Sequence, residues 1–195
     1  MSRISDSTTV AVLNQVLTPG HIPPYLALDF SLPSACHRAA LSETGRRSVL
    51  NRPAFTAQAR ITSITIRITI PGTDQELYRC MARRDVDLTV GNILEAIAKE
   101  LRWYMDITTM NSISVFISDS DIRNHRHRRL STVKECTKDF RLDSEAQSAI
   151  DKEEFLIRRV DALKGHVLFA GLERFEDEPN VWNVKLEHLS RYGNV

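Results

Sequence analysis

Two arginines, an aspartate and a histidine fall close together near the C-terminus, at Arg158, Arg159, Asp161 and His166. Paired guanidinium groups offer bidentate donors to a carboxylate or phosphate, and a histidine could carry a proton near neutral pH. That set describes a small-molecule or anion-handling pocket. A structural role competes with it: Asp161 pairs with Arg158 or caps the following turn, and so fixes how the chain enters the next strand. The structural role is favoured. Asp29 poses the same choice inside an apolar segment, where backbone amides or an arginine must satisfy it; Arg159 is the natural partner.

The second concentration is the basic run NHRHRR at 124–129. Arg126, Arg128 and Arg129, with Arg123 before them, offer charge and forked donors to nucleic-acid phosphates. No aromatic residue is interleaved for base stacking, and the chain as a whole carries a formal charge of only +1. Nucleic-acid binding is therefore disfavoured against a solvated basic helix end or a patch that docks an acidic partner. His125 and His127 stand two apart, but the surrounding arginines repel a cation and no third ligand is near, so no metal is expected.

Nucleophilic chemistry finds no ordered partner set. Cys36 and His37 are adjacent, and adjacent side chains on extended backbone point apart. Cys80 reads as a small core residue in a strand, and Cys136 lies on a charged helix. There is no G-x-S-x-G, P-loop, G-x-G-x-x-G, C-x-x-C or H-E-x-x-H motif. No catalytic residue and no cofactor are expected. Three widely spaced cysteines, odd in number, suit reduced thiols in the cytoplasm. No apolar run is long enough for a membrane span, so an intracellular protein without a membrane partner is expected.

The positioning elements begin with ARITSITIRITI at 59–70. Ile64, Ile66, Ile68 and Ile70 alternate with Ser63, Thr65, Arg67 and Thr69, the period of a half-buried antiparallel strand. Four such isoleucines contribute roughly 1.5–3 kcal/mol each when buried. Pro71 to Asp74 supplies turn chemistry, and 76–82 returns as the partner strand. A helix over 90–103 follows, capped by Thr89, with Ile93, Leu94, Ile97 and Leu101 on one face. Ile113, Val115 and Ile117 alternate as a short strand or loop would. A second helical segment spans about 131–160, with a capping box at Ser144 and Gln147. Strands 166–172 and 181–187 form a second hairpin, and 25–30 reads as an edge strand between prolines. The sum is a single α+β domain: an antiparallel sheet of hairpins packed against two or three helices. Residues 1–19 form an N-terminal arm, 20–187 the domain with a mobile loop at about 36–57, and 188–195 a C-terminal tail.

Four motifs in order carry a resemblance: PYLALDFSLP at 24–33, LTVGNIL at 88–94, RRVDAL at 158–163 with FAGL at 169–172, and Val181-Trp182. Over about 20–187 the chain resembles a family of uncharacterised domains of unknown function common in basidiomycete fungi. It departs at Leu28, where a tryptophan is usual, and at Asn92, where an aspartate is usual. The resemblance implies a fungal origin and a compact α+β domain, and no reaction.

The residues together point to a non-catalytic protein-interaction or self-assembling module. A long alternating strand with short edges favours strand-edge pairing into a homodimer. A concave pocket gathering the arginine–aspartate set would favour an enzyme; a flat apolar surface would favour assembly.

Overall fold

In the computed structural model, the described residues are 12–21, 28–31, 48–56, 60–138, 156–178 and 180–188. The expected Ser144 cap, the far part of the 131–160 helix, most of the 36–57 loop and most of both termini lie outside them.

The isoleucine strand forms where its alternation places it. Strand β3 covers Ser63–Thr69 and pairs antiparallel with β4, Glu76–Arg83, from Ser63 opposite Arg83 to Thr69 opposite Glu76. Ile64, Ile66, Ile68 and Ile70 are all buried, the last three to 1% exposure or less. Gly72 takes φ +81° in the connecting turn, a conformation costly for any residue with a Cβ. The turn closes with the Ile70 amide donating to the Gln75 carbonyl at 3.0 Å.

Helix α1, Val90–Leu101, packs on β4 and buries Val90, Ile93, Leu94, Ile97, Ala98 and Leu101. Thr89 accepts from the Asn92 amide at 3.3 Å, and the Asn92 side chain accepts from the Thr89 amide at 3.2 Å. Asn92 thus closes a reciprocal capping box, as an aspartate at that position also would.

Two short strands, β1 (Val12–Leu13) and β2 (Phe55–Thr56), form a separate ribbon. The second hairpin joins β5, His166–Arg174, to β6, Val181–His188, in antiparallel register. Strand order is β4-β3-β6-β5, so the two hairpins meet through a parallel pairing of β3 with β6, Thr65 opposite Val181. Leu28 to Phe30 lies along the outer side of β5: the Phe30 amide donates to Val167 and the Phe169 amide to Leu28. Leu28, 6% exposed, belongs to the core. At Gly171, φ is +126° and an added Cβ would stand 2.7 Å from the Pro19 nitrogen, so the turn after Leu17 needs glycine there to approach the strand.

The stretch from 105 to 121 differs from its strand-like reading. It holds helix α2, Ile107–Ile113, capped by Asp106, whose carboxylate accepts from the Thr109 amide at 2.7 Å. Ile113 and Ile117, four apart, are buried, while Val115 between them is 83% exposed. A period of two and an i, i+4 pair share the same two isoleucines here; the helical turn that follows α2, in which the Ile117 amide donates to the Ile113 carbonyl at 3.0 Å, is the arrangement that leaves Val115 outside. Helix α3, Asp119–Lys138, begins earlier than the expected 131 and contains the whole basic run. Ser118 opens it, accepting from the Asp121 amide at 3.2 Å.

Candidate functional site

The two chemically interesting clusters meet. Arg129, from the basic run on α3, donates through Nε to Asp161 Oδ1 at 2.7 Å and through Nη2 to Oδ2 at 3.0 Å. Both side chains are buried, with 2% and 1% of their surface exposed. Arg129 Nη2 also donates to the Leu156 carbonyl at 3.1 Å. Asp161 stands in a 3-10 turn at Arg159–Leu163, and its Oδ2 accepts from the Arg158 amide at 2.9 Å. One carboxylate therefore caps the turn and binds the helix, the arrangement a buried charge requires.

Arg158 and Arg159 turn elsewhere. Arg158 Nη1 donates to the Arg102 carbonyl at 3.0 Å, and its guanidinium lies 5.6 Å from the centre of the Tyr104 ring. Arg159 forms an ion pair with Glu100 of α1 and stacks 4.6 Å above the Tyr78 ring. The expected pairing of Arg159 with Asp29 is not made. Asp29 sits beside β5, at the opposite end of the sheet from the β4 residue under Arg159, and accepts from the Ser31 amide at 2.8 Å and hydroxyl at 2.6 Å.

His166 begins β5. Its Nδ1 is 3.2 Å from the Leu163 carbonyl, and its ring meets His188 edge to face at 5.2 Å. His166 also lines an open cleft of about 460 Å³ with Thr69, Asp74 and Lys185. Arg158, Arg159 and Asp161 are not among this cleft's walls.

On α3, Arg128 is exposed and Arg126 half-buried. His125 is held below the ordinary histidine value, first by burial and then by the Arg128 charge, against the opposing pull of Asp121. Burial pushes the Cys80 thiol up to about 12 and the Tyr78 phenol above its ordinary range. Neither is poised as a nucleophile near neutral pH. Among the described residues, no group of three or more His, Cys, Asp or Glu side chains could hold a metal ion. No helix among them is long and apolar enough to cross a membrane.

The sequence concealed another feature. Of the eight large apolar side chains left exposed among the described residues, five fall between 103 and 116: Trp103, Tyr104, Ile107, Val115 and Phe116. The helical signal at Asp106 and the i, i+4 spacing of Ile113 and Ile117 would have shown which of these face outward.

The model of a family of unknown function, DUF6699, matches residues 26–180. The chain belongs to this family. The DUF6699 match takes in both halves of the buried ion pair, the isoleucine hairpin and helices α1, α2 and α3, and ends at the residue before β6. No curated protein and no solved structure matches the chain.

Proposed function

We propose that this domain is a non-catalytic protein-interaction module that self-associates as a homodimer, in the cytoplasm of a fungal, basidiomycete cell. The observation that carries the reading is the exposed apolar segment 103–116, with Ile107 77% and Val115 83% exposed. Concentrated apolar surface of this kind marks a docking face. It adjoins β4, the terminal strand of the sheet, through the Tyr78 hydroxyl, which donates to Met105 Sδ at 3.1 Å. A second copy covering this face would also have a strand edge within reach.

The enzyme reading loses support because its arginines and aspartate are engaged within the fold. Nucleic-acid binding through 123–129 loses support because Arg129 is turned inward.

Trp103 is 55% exposed and Trp182 6%, so tryptophan emission reports the face directly. Dilution should shift the emission to longer wavelength as Trp103 is uncovered. Ile107→Glu should hold it there at every concentration, and Trp103→Phe should remove the change. Emission independent of concentration in the unaltered protein would reject the reading.

A further inference from the structure

We propose that the second copy pairs along β4, strand edge to strand edge, about a two-fold axis at Cys80, so that two four-stranded sheets join into one; the inference rests on the self-association proposed above. The two ends of the sheet are finished differently. Leu28 to Phe30 hydrogen-bonds along the outer side of β5, whereas β4 ends the sheet on the other side with no described residue paired on its far edge.

The ladder fixes which groups stand on that edge. The Arg84 amide donates to the Thr62 carbonyl at 2.8 Å, so that opposed pair is a hydrogen-bonded one, and the two kinds of pair alternate along antiparallel strands. Ala82, Cys80 and Tyr78 therefore turn their amides and carbonyls to β3, while Arg83, Met81 and Arg79 turn theirs away. Thr65, which opposes Met81, agrees from the other side: its amide donates toward β6, to the Asn180 carbonyl at 3.0 Å. All three outward residues are exposed, Met81 at 60%. Neither proline nor lysine interrupts the strand, and its bulge, with Leu77 as the extra residue, leaves 78–83 regular. An unguarded edge of this kind is a template for another strand.

Charge selects the register. Outward-bonding residues must oppose one another, which near the middle of the strand leaves a two-fold axis at 79, 80 or 81. An axis at Arg79 sets Arg79 against itself, and one at Met81 sets Arg79 against Arg83; like charges directly opposed repel. An axis at Cys80 sets Arg79 against Met81 of the other copy, twice, and each pair exchanges two backbone hydrogen bonds. The Arg79 stem then covers the exposed Met81 side chain while its guanidinium stays on Glu76 and Glu178. The same axis brings the apolar 103–116 segment, which adjoins β4 through Tyr78 and Met105, to the junction in both copies.

The test is residue-resolved amide exchange of the full chain at a concentration where light scattering gives the dimer, with Ile107→Glu as the monomeric reference. The Arg79 and Met81 amides should exchange about tenfold more slowly in the dimer, or slower still, while Tyr78, Cys80 and Ala82 stay protected in both. Met81→Pro removes an amide that bonds nothing within one chain, so it should be monomeric with β3 protection unchanged. Met81→Lys, which sets an ammonium against Arg79, should weaken the dimer several-fold. A dimer whose Arg79 and Met81 amides exchange as fast as in the reference would overturn edge pairing and leave self-association standing. A folded Met81→Pro that still dimerises, or a Met81→Lys dimer as tight as the unaltered one, would also overturn it. A chain monomeric at every concentration, or Ile107→Glu still dimeric, overturns the underlying reading and this inference together.

Discussion

Arg129 and Asp161 stand 32 positions apart and form a two-point ion pair at 2.7 and 3.0 Å in the interior. The pair ties the basic helix to the turn that feeds β5. What reads in the sequence as two separate anion sites is one internal tether.

Replacing one partner leaves a buried charge alone. Arg129→Met should therefore destabilise the domain by about 3–5 kcal/mol, read as a lower denaturant midpoint. Adding Asp161→Leu removes the stranded carboxylate, so the double variant should be more stable than Arg129→Met alone. A double variant less stable than that single one would contradict the tether.

Much of the frame was legible because it depends on local periodicity. The alternation at 64–70 named the buried face, and Thr89 announced the start of α1. The tether was not legible, because a charged residue's partner is chosen by the packing of distant elements. Nothing within NHRHRR distinguishes inward-facing Arg129 from exposed Arg128 except helical phase relative to Ile122. Likewise Glu100, off the apolar stripe of α1, gives no local sign that it meets Arg159.

The isoleucine core should be sensitive to loss of volume. Ile66 is fully buried, so Ile66→Ala should cost about 2–5 kcal/mol. Thr65→Ala on the outward side should cost much less. Equal losses in urea unfolding would mean the strand is not seated as described.

Stability should fall with acidification because of His125. Its folded value lies below the ordinary 6.5, so the unfolded chain binds the proton more readily. The folded state is favoured above that unfolded value and loses the advantage as pH drops through the folded one. His125→Gln should flatten the melting midpoint across this window. An unchanged slope in the variant would remove His125 as the cause.

The Cys80 thiol should resist modification. With its ionisation pushed up to about 12, it should react with an aromatic disulfide reagent far more slowly than a free thiol at pH about 8. Denaturation should restore ordinary reactivity. Ready labelling in the Cys36→Ser, Cys136→Ser background would show that β4 opens.

Light scattering of the purified chain and of Ile107→Glu, over a range of concentrations, tests the central claim most directly. The account predicts twice the 22.2 kDa chain mass for the unaltered protein and the single-chain mass for the variant. A monomer at every concentration, or a dimer that survives Ile107→Glu unchanged, would contradict it.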